Sequence, residues 1–514
     1  MFNIKSHKAY YILAILIVAS GGIPKGYDEG GFSASVDLDS FKEDFDLLAN
    51  DWKNNPSGLA DRKANISSFG VLGAAFGSLL ALVLADRLGR LRSWQIFTLF
   101  WTTGTFIQIF SSGIIGLMLF ARLWGGLGSG GLTVVAPLYL SEIAPAVSRG
   151  TVVSLYMVVL LSFLTIGFFI NYGVNSGMKE SSAQYRLVQG IPLIPVGFAF
   201  VCSFFLSDTP RWLASKDRDD EAFAVLARLR SSPDRDTSLS REYYEIQEQV
   251  RTREQSLGDA STLTIVKEIA TSTSYRKRFL LSVLMQIVAQ WSGGNGITYY
   301  IPQIFKYAGV VSDDISLITS GAYGVVKLVF TMVFTWGLVD IIGRRRCMLS
   351  GVGIQCITHI YMSIYMSVFR DGHNKPASNA AIAAVFIYAV GWSIGLCTVP
   401  YLYSTEIFPT RIRSVCYATN MALHWFFQFA VVRVTPNMFV SLDVYGAYVF
   451  WALICGVGLV LLALLAPETK GIPMERMDEL FAGSWWMGWN AKVDLATTYS
   501  TDAQKPGVVE IEKV

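Results

Sequence analysis

The same cluster of charges occurs twice in this sequence, each time at the end of a long apolar run. Asp86-Arg87-Leu88-Gly89-Arg90 returns as Asp340-Ile341-Ile342-Gly343-Arg344, and Glu142, Pro145 and Arg149 return at the same spacing as Glu406, Pro409 and Arg413. A duplicated charged hinge confines the chain to a repeat architecture, in which two equivalent helix bundles share one interface.

The apolar runs say where those bundles sit. Of the 514 residues, 52% are hydrophobic and only 16% charged, which is too apolar for an ordinary soluble domain. Runs of about 20 apolar residues cross a bilayer core. Twelve runs of that kind start near Ala9, Ile66, Ser93, Ile114, Thr151, Val188, Phe279, Ile315, Cys347, Ala380, Val415 and Tyr445. The predicted protein is all-α and membrane-spanning, with twelve transmembrane helices in two pseudo-symmetric six-helix bundles. Its expected divisions are a first bundle at 1–207, a linker at 208–277, a second bundle at 278–466 and a tail at 467–514. Two amphipathic stretches in the linker, Glu221 to Arg230 and Arg241 to Arg253, predict short surface helices. Lys5 and Lys8 precede the first apolar run with no small-residue cleavage site after it, so that run reads as a span and not a signal peptide.

An even number of spans puts both termini on one face, and short-loop bases decide which face. Arg87, Arg90, Arg92, Arg149, Arg344, Arg345, Arg346 and the linker fall together, which predicts a cytoplasmic face there and a plasma-membrane protein with cytoplasmic ends. The stretch from Glu29 to Lys63 carries eight acids against four bases and is expected outside. Asn65-Ile66-Ser67 matches a glycosylation acceptor but abuts the second span, so it is expected to stay unused.

Several function classes drop out. A net charge of +3 gives no reason to expect nucleic-acid binding. The six cysteines lie in or beside apolar runs without metal-ligand or disulfide spacing, and His359 and His424 stand alone. No nucleotide loop or nucleophile constellation is present, so neither an enzyme nor a cofactor is expected. Two bundles that rock about a shared site are instead the architecture of a solute carrier.

The motifs support that architecture. Gly26-Tyr27-Asp28, Asp86 to Arg90, Arg122 before Gly125-Gly126, and Glu142 to Arg149 come first. Asp208-Thr209-Pro210-Arg211-Trp212, Gln290 through Asn295 to Tyr299-Tyr300, Asp340 to Arg346, and Pro467-Glu468-Thr469-Lys470-Gly471 follow in order. With these, the chain resembles the sugar porter family of the major facilitator superfamily over nearly its whole length. Asn171 to Asn175 and Ile472 to Asp478 are similar to fungal members, among them quinate and sugar permeases.

The resemblance implies site roles. Arg90, Glu142 and Arg149 would form one gating cluster, with Arg344, Glu406 and Arg413 as its twin. The family usually has a second base after the first Arg; Leu91 stands there, which predicts a weaker first cluster. Asp28 would carry the coupling proton with Arg122 as its partner. Desolvation raises and a nearby guanidinium lowers a carboxylate's proton affinity, so relative motion of the two loads or releases a proton. Lys25 and Glu29 flank Asp28, and the alternative is that this crowding neutralises it in a fixed ion pair.

For a solute site, Gln290 and Asn295 match the family's amide ligands, followed by Tyr299 and Tyr300. Met157, Ala289, Tyr401 and His424 stand where Gln, Gln, Trp and an amide are usual, so glucose is not the expected cargo. Lys327 and Arg433 are bases within spans and need partners or a ligand. The leading expectation is a proton symporter of a hexose, pentose or related polyol, working by alternating access as a monomer in the lipid bilayer. A hydroxylated acid such as quinate or a sugar acid is the first alternative. A carrier-like nutrient sensor is the second; the 48 residues from Pro467 to Val514 are short for a signalling tail.

Overall fold

A computed structural model of the chain describes residues 4–48, 50–145, 148–230, 237–257, 262–310, 312–369, 374–470, 472, 477–481, 483 and 485–491. The Asp340 side chain and part of the tail motif, Pro473 to Arg476, lie outside them.

Nine helical runs among the described residues are long and apolar enough to cross a membrane: Ala9–Ser35, Pro56–Leu88, Ile115–Ile143, Arg149–Gly177, Ser182–Ser203, Asp313–Leu338, Arg344–Val368, Lys375–Ser404 and Asp443–Leu465. Three more polar elements complete the set: Arg90–Ile109, Thr273–Trp291 with its continuations Gly294–Tyr299 and Ile301–Tyr307, and Thr410–Ser441. In chain order these are spans 1 to 12, with Arg90–Ile109 as span 3, the broken element from Thr273 as span 7 and Thr410–Ser441 as span 11. The three fall short in mean hydropathy because they carry polar residues on buried faces, among them Arg90, Gln286, Gln290 and His424. Such groups are tolerated at membrane depth when they face protein or a cavity.

Within the first half, span 2 packs on span 4, and spans 3 and 4 on each other; in the second, span 9 lies against spans 10 and 12. The halves meet along two seams, span 2 against span 11 and span 5 against span 8.

Two boundaries differ from expectation. Span 1 runs on to Ser35 and span 2 begins at Pro56, so Glu29 and Asp61 belong to helices and the connection between them is shorter than read from sequence, with the same excess of acids over bases. Glu29 is buried. The Asn65 sequon lies inside span 2 with Ser67 buried. In the linker the structure has helices Pro210–Ala214, Asp219–Arg230, Thr237–Leu257 and Thr262–Thr271. Trp212, Leu226 and Tyr243 form part of their own small apolar core.

Candidate functional site

Close helix approach builds the centre of the molecule. A Cβ at Gly26 would stand 1.9 Å from the Leu160 carbonyl oxygen, and one at Gly30 would stand 2.0 Å from that of Leu164. Glycines four residues apart thus let span 1 lie backbone to backbone on span 5. Span 1 then loosens into a π-turn over Asp28–Phe32, a local widening that frequently marks functional sites.

Asp28 sits in that turn. The Arg122 guanidinium on span 4 grips both of its carboxylate oxygens, donates to the Ile66 and Ser67 carbonyls, and stacks 3.8 Å over the Phe32 ring. From the other half, the Tyr299 hydroxyl donates to Asp28 Oδ2 at 2.8 Å. Tyr299, expected at the solute site, therefore belongs to the carboxylate. Tyr300 also points away, donating to the Val432 carbonyl at 3.1 Å.

Lys25 and Glu29 do not neutralise Asp28; they pair with each other at 2.7 Å. Both line a central cavity between the halves together with Met157, Gln290, Asn295, Tyr401 and His424, all anticipated, and Gln286, Trp392 and Gln428, which sequence reasoning passed over. His424 is the hub of its polar wall. Its ring nitrogens lie 3.0 Å from Gln290 Nε2, 2.9 Å from Gln286 Oε1 and 3.0 Å from the Tyr401 hydroxyl. Asn295 Nδ2 donates to Gln290 Oε1 at 3.0 Å, which locks the amide pair. Gln286 sits one helical turn before Gln290 on the same face of span 7, and that i, i+4 spacing was the available signal.

Lys327 is fully buried behind this wall. Its ammonium donates to Thr298 Oγ1 at 3.1 Å and lies 4.0 Å from the Trp392 ring centroid, with no carboxylate within ion-pair distance among the described residues. It supports Trp392 and does not line the cavity. Arg433, by contrast, has a carboxylate: it meets Asp61 of span 2 at 2.8 Å, and Asn437 donates to the same oxygen. Asn175 of span 5 likewise donates to Asp314 at the start of span 8 at 2.8 Å. These two bridges close the end of the molecule opposite the charged hinges.

The hinges are twinned in detail. Arg90 meets Glu142 at 3.0 Å and Arg344 meets Glu406 at 3.1 Å. Thr209 and Thr469 donate to the two glutamates at 2.5 and 2.7 Å. Asp208 accepts from the backbone N–H groups of Arg90 and Leu91, and Glu468 from those of Arg344 and Arg345. These carboxylates cap the orphan donors at the starts of spans 3 and 9. Gly89 and Gly343, with φ of 100° and 101°, make room: a Cβ there would meet the capping carboxylates at 2.1 and 2.5 Å. Burial pushes the Asp208 carboxyl above its usual range, opposed by those N–H donors.

Of the remaining hinge bases, one departs from expectation. Arg149 is exposed, and no ion pair joins it to Glu142 among the described residues. Arg413 donates to the Phe408 carbonyl. Two further arginines, Arg230 of the linker and Arg278 of span 7, take twin positions: Arg230 donates to the carbonyl of Ile143 and Arg278 to that of Ile407, each at 2.9 Å, next to the two glutamates. The first cluster, expected to be the weaker, holds the more deeply buried ion pair of the two. Leu91 is buried in the core, and the base at its twin position, Arg345, reaches the Ala463 and Ala466 carbonyls and not Glu406.

Residues 14–481 match the family model described as "Sugar (and other) transporter". A quinate permease of Neurospora africana is 32% identical over 491 residues, covering 92% of this chain and 89% of that protein. A probable quinate permease of Aspergillus niger is 32% identical over 469 residues, with 89% and 85% covered. Among solved structures, the proton:xylose symporter XylE bound to 6-bromo-6-deoxy-D-glucose superimposes with a TM-score of 0.75 at 21% identity, over 92% of this chain and 99% of that one. The inward-open xylose transporter XylE from E. coli gives 0.74 at 19% identity, over 92% and 100%.

Proposed function

The chain belongs to the sugar (and other) transporter family of the major facilitator superfamily, and from that premise we propose that it is a proton-coupled carrier of a polyhydroxylated solute. The halves 1–207 and 278–466 act as the rocking units. The face with the twinned hinges and both chain ends is cytoplasmic, the membrane is the plasma membrane, and one copy in the bilayer suffices. This reading makes the protein a carrier and not an enzyme.

One observation carries the coupling: Asp28 is gripped by Arg122 from its own half and by Tyr299 from the other. Parting the halves at this level removes the Tyr299 hydrogen bond from the carboxylate, which raises its affinity for a proton. Beside it, the amides of Gln290 and Asn295 with His424 and Tyr401 offer both donors and acceptors to solute hydroxyls. A hexose, pentose or polyol fits that wall. A hydroxylated acid is the second reading, favoured by the Lys25 ammonium on the cavity and by the quinate permeases among the relatives.

The test is Asp28→Asn in proteoliposomes with an imposed pH gradient. With a neutral sugar as cargo, exchange of internal for external solute is expected to persist while uphill accumulation is lost. Accumulation equal to that of the parent removes Asp28 from the coupling step.

A further inference from the structure

Resting on the reading of the central cavity as the solute site, we propose that Lys25 and Glu29 form a carboxylate-operated proton site. A hydroxylated monocarboxylate displaces Glu29 from Lys25, and Glu29 takes up a proton that crosses with the solute.

The pair is built for separation. Lys25 Nζ lies 2.7 Å from Glu29 Oε1, with the side chains 9% and 5% exposed, yet it makes no hydrogen bond of good geometry to any described residue. Its charge is matched; its three N–H donors are not. The ammonium rests 4.2 Å from the Trp425 ring centroid, which holds it on the cavity wall at little cost in its freedom to turn. Lining the same cavity, Gln286 Nε2, Trp392 Nε1 and Gln428 Oε1 are also buried without partners. Three of these four unmatched groups donate. Native proteins leave few buried polar atoms unmatched, so four around one cavity point to a ligand that supplies acceptors. A carboxylate supplies them with the charge that Lys25 requires, and ring hydroxyls serve the two remaining donors and Gln428.

Charge then decides the fate of Glu29. Of the groups that line the cavity, Lys25 and Glu29 together are neutral, so an anion added there leaves the lining one charge negative, with the Lys327 ammonium held behind the wall. Among the described residues no second cation forms an ion pair with Glu29; Lys327, behind the wall, acts on it only through space. Gln428 Nε2 lies 3.5 Å away, and Lys327 is committed to Thr298 and Trp392. Facing it are Tyr156 from span 5, Tyr323 from span 8, Cys397 and Tyr401 from span 10, and His424 from span 11. Asp28 and Tyr299 are occupied with Arg122 and each other. Protonation of Glu29 restores neutrality: a proton from the solution on the loading side adds to the carboxylate. It leaves on the opposite side, when the acid departs and Lys25 regains Glu29.

The experiment measures binding of quinate and of a neutral sugar to the purified full-length chain across pH, with proton uptake per bound molecule. Glu29→Gln, which imitates the protonated carboxyl and frees Lys25, is expected to bind quinate at least tenfold more tightly at neutral pH and to take up one proton fewer. The double variant Lys25→Gln with Glu29→Gln leaves no unpaired charge to disturb folding, and is expected to lose quinate affinity at least tenfold while binding neutral sugar as the parent does. Unaltered quinate affinity in the double variant, or unaltered proton uptake in Glu29→Gln, overturns the proposal. So does a parent that binds sugar through Gln290 but ignores quinate, which leaves the solute site standing. If Gln290→Ala alters the binding of neither compound, the reading of the cavity itself fails and the proposal falls with it.

Discussion

Removing the acid from each hinge in turn separates two gates that look alike on paper. Glu142→Gln and Glu406→Gln keep the side-chain shape and delete the charge. At the first hinge both partners are 5% exposed, and Arg90 reaches both carboxylate oxygens. At the second, Arg344 is 15% and Glu406 20% exposed. Losing one partner of a fully buried pair costs about 3 to 5 kcal/mol, because the remaining charge stays buried. For Glu142→Gln we take the lower bound of about 3 kcal/mol, and for the wetter Glu406→Gln about 1.5 kcal/mol, the value of a single charged hydrogen bond. At about 1.4 kcal/mol per factor of ten, the closed-to-open ratio at the hinge face falls roughly a hundredfold in the first variant and roughly tenfold in the second. Spin labels on the hinge ends of spans 4 and 10, read as a distance distribution in nanodiscs, report that ratio. If Glu406→Gln opens the hinge face as far as Glu142→Gln does, burial is not what sets the strength of these gates, and the reasoning fails.

At the solute wall, Gln290→Ala or Asn295→Ala strands buried partners and is expected to weaken binding by about 1 to 3 kcal/mol, seen as a raised dissociation constant in calorimetry. Asp61→Asn acts on a bridge open to solvent, worth at most about 1 kcal/mol, so it should shift the far-face opening no more than a few-fold in the same distance measurement. A hundredfold shift there would mean the bridge is the principal latch. Gly26→Ala drives a methyl group into the Leu160 carbonyl and is expected to abolish folded yield in size-exclusion chromatography. Normal yield with normal transport would show that spans 1 and 5 can separate without penalty.

The fold was legible because its signals are long-range in sequence and need no knowledge of packing. Asp86 to Arg90 and Asp340 to Arg344 announce the duplication, and the apolar runs announce the spans. The Asp28–Arg122 pair was legible through the family resemblance, whose motifs mark both positions. What escaped was the direction of side chains. Tyr299 and Tyr300 carry no mark that separates a cavity-facing hydroxyl from one aimed at Asp28 or at the Val432 carbonyl. Arg230 and Arg278 were hidden because their acceptors are backbone carbonyls, which every residue has. Lys25 and Glu29 were visible as neighbours of Asp28, but only the π-turn and the contact with span 5 put them on the cavity and Asp28 on Arg122.

The halves are alike at their hinges and unlike at their centre, and that difference explains how coupling arises. The first half brings the charges: Lys25, Glu29, Asp28 and Arg122. The second brings the amides and rings of Gln286, Gln290, Asn295, Tyr401 and His424, with its own cation, Lys327, held back against Trp392. On the function proposed above, a solute between them meets hydroxyl-binding groups on one side and charges on the other. When the halves rock, the amide wall moves as a unit because His424 and Gln290 lock it, whereas the Tyr299 bond to Asp28 crosses the interface and changes. On the function proposed above, the solute is read at the central cavity and the proton at Asp28, outside the lining of that cavity, and each place joins groups of both halves. Each depends on how far apart those halves stand, which is the condition for one to drive the other.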